Sequence, residues 1–177
     1  MKTKARKGKV IVWLLLTVLL ICPFTMRTIR AADQGTANEV TEVKVNVTDD
    51  TQMNYFKYTA YEGKTWTVNN ASEAYIDLGT SDANAQQCYY ELTFNGNAVE
   101  IYAIKGPVHG KVLYTVDGAN DKTVDLYQAS RSAAQSVYQV SGLSEGKHTL
   151  KAVTLNDKSG SKIVNQISYA KVTHCID

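Results

Sequence analysis

"CYYELTFNGNAVEIYAI", Cys88–Ile104, is the stretch of sequence that decides the fold. Apolar and polar side chains alternate on both sides of Asn95-Gly96-Asn97, which is the pattern of two half-buried strands separated by a turn. Asparagine and glycine tolerate the positive φ angles that tight two-residue turns require. The stretch therefore predicts a β-hairpin.

The rest of the chain repeats this alternation in short runs. "NYFKYTAY" and "EGKTWTV" flank a turn at Glu62-Gly63, and "KVLYTVDG" and "KTVDLYQ" predict a second hairpin around "GAND". "QSVYQVSGLSEGKHTLKAVTL" breaks at Gly142 and Glu145-Gly146, and "IVNQISYAKVTHCI" closes the chain. Closely spaced short strands with turn residues between them predict an all-β fold, an antiparallel β-sandwich of the jelly-roll type.

The first residues have the three parts of a secretory signal peptide. "MKTKARKGK" is basic, Val10–Ile21 is apolar, and Ile29 and Ala31 fit the small-residue cleavage positions. We therefore predict a signal peptide over 1–31, cleavage near Ala31, and a secreted, extracellular protein with no membrane span after processing. A retained membrane anchor is the alternative, although the apolar run is shorter than the roughly 20 residues of a spanning helix.

The remaining chain divides into two parts. Residues 32–50 are predicted to be a polar lead, with one brief alternation in "VKVNV" that can form a first strand. Residues 51–177 are predicted to form a single β-sandwich binding domain, because they contain no internal repeat and no low-complexity tract.

The net charge of the exported part argues against nucleic acid as a partner. The whole chain has 19 basic and 17 acidic residues, but all the acidic residues and only 12 of the basic ones follow residue 31. The mature chain would therefore be acidic. It has no basic stripe, which nucleic-acid binding requires.

Two cysteines follow the signal peptide, Cys88 and Cys175. In an exported protein such a pair can form a disulfide, and we favour a bridge between them. The alternative is two buried thiols, since unpaired cysteine is often found in the interior.

The series "YYELTFNGNAVEIYAIKGPVHGKVLYTVDG", "VDLY" and "VSGLSEGKHTLKAVTL" resembles a known kind of module. It is similar to the galactose-binding-like jelly roll of carbohydrate-binding modules in secreted bacterial carbohydrate-active enzymes and surface proteins. The resemblance covers roughly residues 53–175. It implies a bacterial source and a glycan-binding role. Such modules often carry paired aromatic residues before the sheet, whereas this chain has Trp66 alone there.

A sugar site needs an exposed aromatic platform together with charged or planar hydrogen-bonding groups. Such side chains occur on the predicted strand ends and loops. The candidate ligand-binding residues are Trp66, Tyr75, Tyr102, Lys105, His109, Asp125, Tyr127 and Arg131.

Several of these residues have a structural explanation as well. Trp66 alternates with polar neighbours and can equally belong to the core. His109 lies in a glycine- and proline-containing loop, where its ring can cap irregular backbone. Asp125 can pair with Arg131 or Lys105 and so hold two loops together.

Metal and catalytic sites have little support in the sequence. "DGAND" supplies oxygen ligands, but turn geometry explains its Asp-Gly pair and it lacks the spacing of a calcium loop. We expect no cofactor, and a structural calcium ion elsewhere is left open. The three histidines are isolated, and there is no nucleophile elbow or phosphate loop.

We therefore expect a secreted, non-catalytic module that binds a glycan or cell-surface polysaccharide. We read no catalytic domain in the sequence, so it would be free-standing or act beside other secreted proteins. The alternative is an extracellular protein-interaction or surface-structural domain that binds no sugar. Its partner would lie on a sheet face or edge strand.

Overall fold

The computed structural model describes residues 39–176. The predicted signal peptide over 1–31 and its cleavage site lie outside these residues. Within the described part, no helix combines the length and the hydropathy of a membrane-crossing segment. The described elements are β1 (Glu39–Asn46), β2 (Tyr55–Thr59), β3 (Thr67–Asn69), β4 (Glu73–Asp77), a 3₁₀ turn (Ala85–Gln87), β5 (Tyr89–Asn95), β6 (Ala98–Ala103), β7 (Lys111–Val116), β8 (Ala119–Asp125), β9 (Gln135–Ser141), β10 (Lys147–Thr154), β11 (Val164–Ile167) and β12 (Tyr169–Ile176).

The strands form two large sheets and one small one. The four-stranded sheet has the order β1-β12-β6-β9, and the five-stranded sheet has the order β2-β5-β10-β7-β8. A three-stranded sheet, β11-β4-β3, completes the fold. All pairings between these strands are antiparallel. The predicted antiparallel β-sandwich is confirmed.

Large aromatic side chains fill the core. Tyr114 of the five-stranded sheet stacks on Tyr138 of the four-stranded sheet, with ring centroids 4.9 Å apart. Trp66 meets the edge of Tyr90 with ring centroids at 5.9 Å. All four side chains are buried. Aromatic pairs of this kind contribute about 0.5–1.5 kcal/mol beyond the area they bury, so the tyrosine richness of the sequence is in part a packing feature.

The hairpin predicted at Asn95-Gly96-Asn97 is wrong, although both of its strands exist. β5 belongs to the five-stranded sheet and β6 to the four-stranded sheet, so the two strands do not pair. The turn is a corner between the sheets. Gly96 donates its N–H to the Gly146 carbonyl, and Asn97 donates its own to the Thr173 carbonyl, each at 2.8 Å. The Asn-Gly sequence indicates that the chain reverses direction, but it does not specify the strand with which β6 then pairs.

The second predicted hairpin is confirmed. β7 and β8 pair directly, and Asp117 and Gly118 connect them with φ angles of 51° and 73°. Two successive positive φ angles define a type I′ turn, for which Asp-Gly is a preferred sequence. The Asp117 carboxylate also binds the buried His148 ring at 2.6 Å, so this histidine is structural.

β1 shows that part of the predicted polar lead belongs to the sandwich. It includes the first four residues of the "VKVNV" alternation and pairs with β12 along its whole length. The four-stranded sheet therefore begins at Glu39, before the predicted domain start at Thr51.

The favoured disulfide is absent, because Cys88 and Cys175 are not bonded to each other. Cys88 is buried directly before β5, in the five-stranded half of the sandwich, whereas Cys175 lies on β12 of the four-stranded sheet opposite Val40. The two strands occupy different sheets, so the sequence order that suggested a bridge does not make them neighbours.

Replacing Gly96 with alanine should destabilise the fold strongly. A Cβ atom there would lie 2.4 Å from the Thr173 carbonyl oxygen and 2.8 Å from a Val172 methyl group, at a φ of +153°. Gly118→Ala is the matched control, since its φ is +73° but nothing lies within 4 Å of the added atom. We expect a loss of about 1 kcal/mol for the control from backbone strain and about 2 kcal/mol more for Gly96→Ala from overpacking. Urea unfolding measures the stability of both variants. Equal losses would contradict the close packing of Gly96 against β12 at the corner between the sheets.

Candidate ligand-binding cleft

The outward face of the sheet β11-β4-β3 forms the floor of a cleft of about 250 Å³. β4 alternates along its length, with Ala74 and Ile76 buried in the core. Glu73, Tyr75 and Asp77 therefore share the opposite face, because successive strand side chains point to opposite sides. A half-buried phenol ring between two carboxylates is thus the centre of the floor.

Neighbouring strands extend this floor. Asn69 of β3 lies opposite Glu73, and Gln166 of β11 lies opposite Tyr75. Val164 lies opposite Asp77. All three line the same cleft.

Two loops form its walls. The β6–β7 loop contributes Val108 and His109, and the β8–β9 loop contributes Arg131. The first wall is attached to the floor strand by a parallel bridge between His109 and Val164. A 3.1 Å hydrogen bond from the Gly110 N–H to the Val164 carbonyl reinforces this attachment. The wall is therefore attached to the β11 backbone by main-chain contacts.

Glu73 connects the floor to the second wall. Its carboxylate accepts hydrogen bonds from Arg131 Nη2 at 3.1 Å, from Asn69 Nδ2 at 3.1 Å and from Gln166 Nε2. These donors come from a loop and from two different strands. The side chain of Glu73 is 20% exposed, whereas that of Arg131 is 58% exposed. The carboxylate is thus covered by its partners and holds the guanidinium at the open side of the cleft.

His109 continues this chain of hydrogen bonds into the interior. Its Nε2 lies 2.7 Å from Gln166 Oε1, and both side chains are buried. Because Gln166 donates its amide nitrogen to Glu73, its amide oxygen must accept, which places a proton on Nε2 of His109. The ring of His109 therefore positions Gln166 rather than capping loop backbone.

The β10–β11 loop packs against the first wall, which is formed by the β6–β7 loop. Ser161 donates its N–H to the Pro107 carbonyl at 2.9 Å, and a Cβ atom on Gly160 would lie 2.4 Å from that same oxygen. Only glycine permits this approach of two backbones.

Asp77 is engaged at the other end of the floor. It accepts hydrogen bonds of 2.8 Å from the Gly79 N–H and from Lys162 Nζ. Burial alone would raise the pKa of Asp77, but the hydrogen bonds from Lys162 and Gly79 outweigh it, so the pKa lies below its ordinary value. The carboxylate is charged at neutral pH and already paired.

Three of the eight sequence-predicted site residues line this cleft. Tyr75, His109 and Arg131 come from β4 and from two separate loops. The expected pairing of Asp125 with Arg131 or Lys105 is wrong for Arg131, since the guanidinium binds Glu73.

Two predicted aromatic residues lie elsewhere. Trp66 is 8% exposed and donates Nε1–H to the Thr59 carbonyl at 2.9 Å, so it is a core residue, the alternative that its alternation with polar neighbours had left open. Tyr102 stacks on Tyr169 with ring centroids 4.5 Å apart, and Lys171 lies over its ring. The Tyr102 ring is therefore in contact with other side chains of the protein.

The last three predicted residues do not line the cleft. Asp125 accepts hydrogen bonds from the Tyr127 N–H and from Ser159 Oγ, and thus fastens the β10–β11 loop. Lys105 exchanges hydrogen bonds with Ser132 through its backbone. Tyr127 is exposed by 40%.

Sequence reasoning missed the polar floor. Glu73, Asp77, Asn69 and Gln166 all lie on three- to five-residue strands. The alternation in "EAYID" was the available signal, since it places Glu73 and Asp77 on the face that carries Tyr75. Over residues 39–176, no group of three or more His, Cys, Asp or Glu side chains is arranged to hold a metal ion.

Two known proteins are similar to parts of this chain. A type blood alpha-D-galactosamine galactosaminidase from Flavonifractor plautii is 33% identical over 90 residues, which are 50% of this chain and 8% of that protein. The structure of a family two carbohydrate esterase from Cellvibrio japonicus superposes with a TM-score of 0.50 and 10% identity, over 77% of this chain and 34% of that one. No protein-family model matches the chain. The chain thus spans a small part of each protein, and the structural likeness concerns the fold alone.

The His109–Gln166 hydrogen bond can be tested with a double-mutant cycle. Gln166→Leu leaves a buried N–H of His109 without its acceptor, and His109→Leu leaves the Gln166 oxygen without its donor. We expect each single change to cost about 1–3 kcal/mol and the double variant to cost less than their sum. Urea unfolding of the four proteins measures the coupling. Strict additivity would show that the two side chains do not depend on each other.

Proposed function

We propose that this protein is a secreted, non-catalytic glycan-binding module and that the cleft on β11-β4-β3 holds the sugar. The observation that carries the proposal is Tyr75. Its half-buried ring lies on the cleft floor, with the Glu73–Arg131 pair on one side and Asp77 on the other. An aromatic surface beside charged hydrogen-bonding groups suits a sugar ring, which has apolar C–H faces and a rim of hydroxyl groups.

The similar proteins support a carbohydrate-related role. The partial relative is named as a galactosaminidase, and the protein that shares the fold is a carbohydrate esterase. Both act on carbohydrates by name, and this chain matches only a fraction of each. A glycan-binding role for the shared β-sandwich is consistent with both.

The proposal assigns binding without a chemical step. Glu73 and Asp77 are the carboxylates that line the cleft, and each one holds a protein cation in a hydrogen bond. Carboxylates that act as acid and nucleophile need contact with the reacting atoms, whereas these two hold Arg131 and Lys162. Chromogenic glycosides and esters should therefore show no turnover.

Glycan binding can be tested with three variants of the chain. Tyr75→Ala removes the ring on the floor, and Arg131→Ala removes the cation on the wall. Tyr55→Ala is the matched control, since Tyr55 is a partly exposed tyrosine on β2 of the five-stranded sheet. An array of neutral and acidic glycans, followed by calorimetry on the hits, should show binding by the unmodified protein and the control. Each cleft variant should lose about tenfold or more in affinity, the scale of one stacked ring or one charged hydrogen bond.

No binding to any glycan on the array, together with specific capture of an extracellular protein, would support the protein-interaction alternative. Equal losses for Tyr55→Ala and Tyr75→Ala would place the sugar outside the cleft.

A further inference from the structure

The carboxylates of the cleft already use much of their accepting capacity on the protein itself. Glu73 accepts from Arg131, Asn69 and Gln166, and Asp77 accepts from Lys162 and the Gly79 N–H. A ligand hydroxyl that needs an acceptor would have to compete with these donors. Displacing a donor from the mostly covered Glu73 carboxylate, whose side chain is 20% exposed, costs more than an ordinary hydrogen bond returns.

The buried amide offers no acceptor either. Gln166 uses its oxygen for His109 and its nitrogen for Glu73, and it is 2% exposed. Toward the open side, acceptors remain on the amide oxygen of Asn69, on the hydroxyl of Tyr75, which also donates, and on the Asp77 carboxylate, whose side chain is 39% exposed.

Arg131 supplies most of the unused donors at the open side. Arg131 bonds Glu73 through Nη2, and within residues 39–176 the structure gives its guanidinium no other hydrogen bond. A guanidinium has five N–H donors in a planar fork, so most of them remain for a ligand. Lys162, with a side chain 46% exposed, adds an ammonium at the Asp77 end of the floor.

The charges of the cleft balance in pairs. Glu73 is neutralised by Arg131 and Asp77 by Lys162, so an incoming anion meets no unpaired carboxylate. The cations are the more exposed partners, since Arg131 is 58% and Glu73 20% exposed. At short range an anion therefore meets the guanidinium before the carboxylate behind it.

We propose that the cleft binds an acidic glycan, in which the exposed fork of Arg131 holds a carboxylate or sulfate group of a sugar residue above the Tyr75 ring. This inference rests on the proposed glycan-binding function and names its ligand class. An anionic group only accepts hydrogen bonds, which matches the free donors of Arg131. A neutral sugar offers this guanidinium only hydroxyl oxygens, which are weaker acceptors than a charged group.

Matched pairs of charged and neutral glycans distinguish recognition of the charge from recognition of the sugar ring. An oligouronate loses its carboxylate charges on full methyl esterification, and a sulfated oligosaccharide loses its charges on desulfation, while the sugar backbone of each stays the same. We expect calorimetry at low salt to give at least about tenfold tighter binding for the charged member of one pair, and this preference should shrink at high salt. Which pair responds identifies the anion.

Variants of the protein test whether Arg131 causes the preference for the charged glycan. Arg131→Gln should abolish it and leave the weaker affinity for the neutral member, and Arg131→Lys should keep part of it, because the charge remains and the fork is lost. Lys122→Gln, on the exposed β8 edge strand, makes the same change in net charge away from the cleft and should leave the preference intact.

Three results would overturn the inference: equal or tighter binding of the neutral members, a preference that survives in Arg131→Gln, or an equal loss in Lys122→Gln, which would indicate general charge attraction. Binding of neutral glycans with loss in Tyr75→Ala would refute the acidic ligand while sustaining the glycan-binding function. Failure of every charged and neutral glycan to bind would refute both.

Discussion

The carboxylate of Glu73 is the interaction on which the cleft depends. It lies on β4, it is mostly covered, and it accepts hydrogen bonds from β3, from β11 and from the loop that carries Arg131. Without it, three segments that are distant in sequence would have no common partner, and the guanidinium would have no fixed position. A charge held by hydrogen bonds from several elements is strongly preorganised, which lowers the cost of ordering side chains when a ligand binds.

The sandwich makes this convergence possible by sending consecutive strands to different sheets. β5 and β6 separate at Gly96, where the chain packs directly against the backbone of β12. β11 and β12 separate in the same way at Ser168. As a result, β11 is free to pair with β4 far earlier in the chain and brings Gln166 opposite Tyr75. The loops around this small sheet are then fixed by backbone contacts, and the approach of Gly160 to Pro107 leaves no room for a Cβ atom.

Local signals in the sequence were sufficient for some of the strands and for one hairpin. Alternation located β5, β6 and β7, and the hairpin predicted between "KVLYTVDG" and "KTVDLYQ" is the one that β7 and β8 form. Pairing partners were not predictable in the same way, because a turn residue specifies a local φ angle and not the sheet that the next strand joins. The same limit produced the expected bridge between Cys88 and Cys175, whose strands lie in different halves of the sandwich.

The site was predictable in part for a related reason. Tyr75, His109 and Arg131 have side chains whose chemistry suggests a ligand, and the structure brings them to one cleft. Glu73 and Gln166 become recognisable only when strand register places them beside these residues. Trp66 shows the opposite case, since its chemistry suggested a platform while its position in the aromatic core buries it.

The most direct test is an NMR titration of the ¹⁵N-labelled protein with whichever charged probe, the oligouronate or the sulfated oligosaccharide, binds in calorimetry. We expect the amide shifts to change along 73–77 and 164–166, at Val108 and His109, and at Arg131, and to stay constant on the outer faces of the two larger sheets. Shift changes confined to those outer faces, or no change along β4 and β11 at saturating ligand, would contradict a sugar-binding cleft on the small sheet.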